Sequence, residues 1–165
     1  MKTETTKHMA DTPAVKIAAL DEEDLAIISA HLQDSVLRVG DLRWMKATGK
    51  LVLVANRYDH LGNAGGTGER RQCGVQISRV RSVAARNIIM SDKTAIVSLL
   101  AMTFIPGAEA PEGTIELSFA GGGAVRVEVE CIEVAMADLS EAWPARARPD
   151  HDAEPDDIST KDAQA

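Results

Sequence analysis

Five arginines, Arg70, Arg71, Arg79, Arg81 and Arg86, fall within seventeen residues that contain no acid. Guanidinium groups gathered this way can grip a carboxylate or phosphate through paired N–H donors. Together with Arg57 they form a candidate anion site for RNA, a nucleotide or an acidic partner. The competing reading puts them on a solvated strand face, paired with Glu116, Glu128 and Glu130 of neighbouring strands. Alternation predicts that Arg79 and Arg81 lie side by side on one sheet face, with Arg71 joining them if a bulge preserves register. The chain has two Phe, one Tyr and two Trp. That is too few for a base-stacking platform.

A second set could do acid–base work. His31 and Asp34 are an i, i+3 pair at the end of a predicted helix, a spacing that lets both point one way, and Asp41 follows. A zinc site would need a third ligand, for which His60 or Asp59 is the obvious supply. The plainer reading makes His31 a partner of the helix dipole and Asp34 a turn residue. No metal and no cofactor are expected. The glycines at 62, 65, 66 and 68 suggest a phosphate loop, but a strand follows them and the Gly-Lys-Ser/Thr ending is missing, so a surface loop is predicted. Cys131 alternates with core valines and is expected to be buried and inert. Cys73 sits beside arginines that would lower its pKa, with no His near it in sequence. No Gly-x-Ser-x-Gly occurs.

These groups need elements to hold them. Asp21 is an expected N-cap, with Glu22, Glu23 and Asp24 filling the first helical turn. Leu20 and Leu25 stand where a hydrophobic staple would form. Leu25, Ile28 and Leu32 give one apolar stripe ending near Gln33. A short strand over 15–20 precedes the helix. Beyond it, 36–45 and 50–58 read as a hairpin across Lys46-Ala47-Thr48-Gly49, and 72–83 as a strand whose period slips near Ser78, the mark of a bulge. Residues 94–105 are apolar on both faces and read as a covered central strand, with a buried helix as the alternative. Residues 114–119 and 124–132 alternate cleanly about Gly121, Gly122 and Gly123; Ile115, Leu117 and Phe119 form one inward row, and Val125, Val127, Val129 and Cys131 the other. Met136, Leu139 and Trp143 are spaced as a short C-terminal helix. The expected fold is α+β: a mainly antiparallel roll or partly open barrel of about seven strands.

The composition sets bounds. Apolar residues make up 45% of 165 residues, enough for one core. The net charge of −7 is uneven: residues 138–165 hold eight acids against three bases, whereas 15–137 hold fifteen against thirteen. An acidic total argues against duplex DNA as a partner. No apolar run spans a bilayer and residues 1–5 carry no signal-peptide core, so a cytoplasmic domain without membrane contact is expected. Residues 1–14 and 153–165 read as disordered tails around a single domain, 15–152.

Ala19-Leu20-Asp21-Glu22-Glu23-Asp24-Leu25-Ala26-Ile27-Ile28-Ser29-Ala30-His31-Leu32-Gln33-Asp34 resembles the opening of an uncharacterised bacterial family, domain of unknown function 2948. Asn56-Arg57-Tyr58-Asp59, Phe119-Ala120-Gly121-Gly122-Gly123-Ala124, Val129-Glu130-Cys131-Ile132-Glu133 and Ala145-Arg146-Ala147-Arg148-Pro149-Asp150-His151-Asp152 resemble its later blocks. The resemblance implies a small cytoplasmic bacterial protein and supplies no activity. The residues themselves favour a non-catalytic binding or interaction domain, for an unidentified protein or a small anionic ligand. The alternative is a small hydrolase or transferase acting on an anionic substrate, with Arg57, Arg70 or Arg71 as clamps and His31 or Asp59 as base. A homodimer through an edge strand is the third reading.

Overall fold

The structure, a computed structural model, describes residues 14–59, 69–140 and 143–144. The expected tails at 1–14, but for Ala14, and 153–165, and the loop 62–68, lie outside the described residues. One helix and one antiparallel sheet make up the fold. Strand β1 (Lys16–Ala19) leads into α1 (Glu22–Leu32), followed by β2 (Ser35–Arg38), β3 (Leu42–Met45), β4 (Lys50–Tyr58), β5 (Glu69–Ile77), β6 (Val80–Arg86), β7 (Ile96–Pro106), β8 (Gly113–Phe119), β9 (Ala124–Val129), β10 (Val134–Asp138) and the two-residue β11 (Trp143–Pro144). Among the described residues there are thus ten strands of four residues or more, plus β11, where about seven were expected. The count rises because two long predicted strands are broken and because part of the segment read as a C-terminal helix forms β10 instead. A 3-10 turn, Val39–Asp41, divides β2 from β3, and a corner divides β5 from β6.

Asp21 caps the helix as its sequence predicts, accepting the Asp24 N–H at 2.8 Å. Leu25, Ile28 and Leu32 turn inward and pack on the sheet. The staple does not form. Ala19 takes the inward position at the end of β1, so Leu20 points outward and is 72% exposed.

The sheet order is β1-β10-β5-β4-β2-β7-β8-β9-β6, with β3 added to β4 and β11 to β5. It stays open, ending in β1 and β6. The slip near Ser78 is where β5 becomes β6. Arg79 takes a left-handed φ of 60°. The Ser78 N–H donates to Glu133 O and the Glu130 N–H donates to Arg79 O. The pair β5–β10 thereby passes into the pair β6–β9 around one corner, and a smaller bulge follows between Val80 and Ser82. Cys131 falls in this corner rather than in the inward row of β9. It is only partly buried, and Ile132 is buried instead.

Residues 94–105 form a strand, not a helix. Its outward side chains Ile96, Leu100 and Ile105 remain 36–44% exposed, so that face is covered less than the sequence predicts. The expected C-terminal helix is also absent among the described residues. Val134 and Met136 follow a strand period and are buried, whereas Leu139 is 56% exposed. The β3–β4 hairpin is present, closed by Gly49 at a φ of 66°, as is β8–β9, closed by Gly121 and Gly122 at positive φ.

A buried charged cluster as candidate functional site

The inward row of β4 begins Leu51, Leu53, Ala55 and continues Arg57, Asp59, all at most 2% exposed. Strand β5 does the same in reverse, with Ile77, Val75 and Cys73 leading to Arg71. Strand β10 ends Val134, Met136, Asp138, with Asp138 opposite Cys73. Three strands therefore change from apolar to ionic at one end of the same face. Arg57 and Arg71 are cross-strand neighbours there, and His31 reaches the same end from the last turn of α1.

Arg57 and Asp138 form a two-pronged pair: Nε donates to Oδ1 at 2.7 Å and Nη2 to Oδ2 at 2.8 Å. The Val15 N–H donates to Asp138 Oδ2 at 2.7 Å. Looser contacts surround this pair. Arg57 Nη1 lies 3.7 Å from Asp59 Oδ1, Arg71 Nε 3.8 Å from Asp59 Oδ2, and Arg71 Nη1 4.0 Å from Asp138 Oδ2. Two guanidinium groups thus face two carboxylates. Burial alone would push the Asp138 carboxyl up, but the hydrogen bonds from Arg57 and Val15 outweigh it and hold the group below its usual range. Burial likewise opposes the charge on Arg57, and Asp138 reverses that effect and raises its pKa. The His31 pKa is lowered, first by burial and then by Arg57, against the opposing pull of Asp59 and Asp138. His31 is therefore neutral at pH 7.

Among the described residues, three polar atoms at this end are buried without a hydrogen-bond partner: His31 Nδ1, Ser35 Oγ and Arg57 Nη1, the last having only its looser ion contact with Asp59. Val36 stands opposite Asn56, which sets Ser35 next to Arg57 across β2 and β4. Since His31 Nδ1 and Ser35 Oγ both lack partners, they are not bonded to one another, and Ser35 is not an activated nucleophile. Cys73 is not one either. Burial pushes its thiol up to about 12 despite Arg57, the reverse of the effect expected from neighbouring arginines.

The arginines of the predicted anion strip scatter into three environments. Arg57 and Arg71 enter the buried cluster. Arg70 turns to the other face, where Nη1 donates to Asp34 O at 3.2 Å and Asn56 O at 3.1 Å, and its guanidinium lies 5.7 Å from the centre of the Tyr58 ring. Arg79 and Arg81 do not stand side by side, because Arg79 occupies the corner. Arg79 pairs with Glu133 and Glu130, and Arg81 with Glu112. Of the partners expected for them, Glu116 bonds Arg126 and Glu128 accepts from Ser82.

His31, Arg57 and Asp59 are brought together. Asp34 is buried in a left-handed turn and holds Arg70 through its carbonyl, while Asp41 is exposed. His60 lies outside the described residues. Among the described residues no three His, Cys, Asp or Glu side chains gather to hold a metal ion, and no helix is long and apolar enough to cross a membrane. Asp138 and Ser35 were missed from sequence. The signal for Asp138 was present: read at period two with Val134 and Met136, it falls inward.

Fold and site together define an open antiparallel sheet carrying one helix, with an ionic cluster closing one end of its core. The chain belongs to a family of proteins of unknown function, DUF2948, whose model matches residues 15–151. Comparison with curated proteins and with solved structures finds no match.

Proposed function

We propose that this chain is a non-catalytic binding domain for a small carboxylate-bearing ligand, with Arg57 at the centre of the site. The observation that carries this reading is the set of buried polar atoms without a hydrogen-bond partner among the described residues, Arg57 Nη1, Ser35 Oγ and His31 Nδ1. Buried groups of this kind are costly unless something accepts their hydrogen bonds, and the oxygens of a carboxylate are acceptors for such donors. The charge balance adds a condition. Arg57 and Arg71 are matched by Asp59 and Asp138, so an incoming anion leaves one negative charge in excess. His31, neutral beforehand, supplies the compensation by taking up a proton. Binding is therefore tighter at pH 5.5 than at pH 8. The two free thiols, Cys73 and Cys131, support a reducing, cytoplasmic compartment.

The test is a titration with acetate, read from the His31 imidazole resonances. The expected result is a saturable shift, a raised His31 pKa on binding, and weaker binding in Ser35→Ala. A titration that leaves His31 unmoved sinks the reading.

A second reading, a hydrolase or transferase acting on an anionic substrate, draws on the juxtaposition of His31 and Asp59 with Arg57, with neutral His31 as base. Turnover of nitrophenyl esters or phosphates that disappears in His31→Gln would favour it over simple binding.

A further inference from the structure

A different part of the molecule offers an edge. Strand β6 ends the sheet order, so beyond Val80, whose N–H donates to Gly49 O, alternate backbone groups along its outer side have no neighbouring strand among the described residues. Arg81, Ser82, Ala84, Ala85 and Arg86 are exposed. The strand contains no acid. Ala84 stands opposite Arg126, and Arg86 opposite Ala124. Together with Ala85 these residues line a shallow, almost wholly apolar hollow of about 130 Å³. Arg126 reaches Glu116 at 3.4 Å, whereas Arg86 has no ion-pair partner among the described residues.

We propose that β6 accepts an extended acidic segment of a partner protein as an added antiparallel strand. An apolar side chain of that segment fills the hollow over the alanines, and a flanking carboxylate pairs with Arg86. Backbone hydrogen bonds supply affinity and the alternating side chains supply selectivity. A second copy of this chain fits poorly. Antiparallel self-pairing about Val83, the middle of β6, sets Arg81 opposite Ala85 and Arg86 opposite Val80, and because β6 contains no acid it brings Arg86 no carboxylate. An acidic strand supplies one. The surface is separate from the Arg57 cluster, and either proposal can stand without the other.

The probe is a fluorescein-labelled peptide of about ten residues alternating Val and Glu, followed by anisotropy on the full chain. Saturable binding is expected, weakened at least about tenfold by Arg86→Glu and weakened again as salt rises. Two controls address the mechanism. A peptide with Lys in place of Glu, and a Val/Glu peptide interrupted by prolines that cannot join a ladder, should both fail to bind. Arg86 is exposed, so Arg86→Glu should unfold as the wild type does. Absence of binding, equal binding of the Lys or Pro peptide, or indifference to Arg86→Glu overturns the proposal. So does concentration-dependent dimerisation that Arg86→Glu abolishes, which assigns the edge to a second copy.

Discussion

Leu53 and Arg57 sit four residues apart on the same face of the same strand, and neither is more than 1% exposed. What keeps each of them there differs in kind. Leu53 is held by the removal of apolar area from water, which has no direction and scales with the area buried. Arg57 is held by two short hydrogen bonds to one carboxylate on β10, and its burial is tolerable only while that geometry persists. The apolar half of the face therefore accepts many arrangements of similar volume, and the ionic half accepts one. A two-residue slip of β10 along β5 would keep every apolar side chain inward and still separate Asp138 from Arg57. The ionic end sets the register that the apolar end leaves loosely specified.

The largest expected effect breaks this contrast directly. Asp138→Ala leaves the Arg57 guanidinium buried and uncompensated, at a cost of about 3–5 kcal/mol in urea unfolding. Adding Arg57→Met to Asp138→Leu removes both charges, leaves Arg71 and Asp59 matched, and should return most of that loss. In the apolar half, Leu53→Ala should cost about 2–5 kcal/mol through its cavity, and no second substitution at a charged position should restore it. A small loss in Asp138→Ala would mean that the cluster does not need its pairing and that the two halves are alike.

The sequence displays these two halves unevenly. Period-two alternation made β8 and β9 plain, because Ile115, Leu117 and Phe119 face Val125, Val127 and Val129 with polar residues between them. Asp21 announced the helix through its own side-chain chemistry, which is local. By type Arg57 and Arg71 read as anion clamps, with a solvated strand face as the alternative for Arg71, yet their parity with Leu53, Ala55 and Cys73 points inward. Residue type outweighed position, since charged side chains are rarely buried unless paired. The partner that makes burial possible, Asp138, is 81 residues from Arg57 in the chain, and no local pattern reveals such a pairing. Met136 and Leu139 fit a helical spacing as well as Val134 and Met136 fit a strand. Only the availability of β5 and β1 as neighbours decides between them.

A smaller effect uses pH to probe the ionic half alone. His31 has a lowered pKa in the folded chain, so the unfolded chain binds its proton first. Stability attributable to neutral His31 is fully present above pH 6.5 and is lost as pH falls from 6.5 through the folded pKa. Asp138 is also depressed, so its contribution holds above 3.8 and is lost as pH falls through its lower folded value. Wild-type unfolding midpoints should therefore decline in two stages on acidification. His31→Gln, which cannot take the proton, should stay level until the second stage. Identical profiles for the two proteins would mean that neither burial nor Arg57 holds the His31 pKa down.

The smallest effect belongs to the arginines outside the core. Arg79 and Arg81 have side chains 59% and 52% exposed, and they meet glutamates in water-accessible pairs. Glu133 and Glu130 raise the pKa of Arg79, but both lie on the same solvated surface. Salt at about 0.1 M screens such charges beyond roughly 10 Å, and holding long side chains in one geometry costs rotamer freedom that offsets the attraction. Changing both residues to Gln should leave the urea midpoint and slope at their wild-type values. It should also leave binding of inorganic phosphate, read by titration at low salt, unchanged, because each guanidinium is already matched by the chain's own carboxylates. A clear loss of phosphate binding with the midpoint unmoved would restore the pair as an anion site. A fall in the midpoint would give these exposed pairs the kind of structural role that, by burial and geometry, belongs to Arg57 and Asp138.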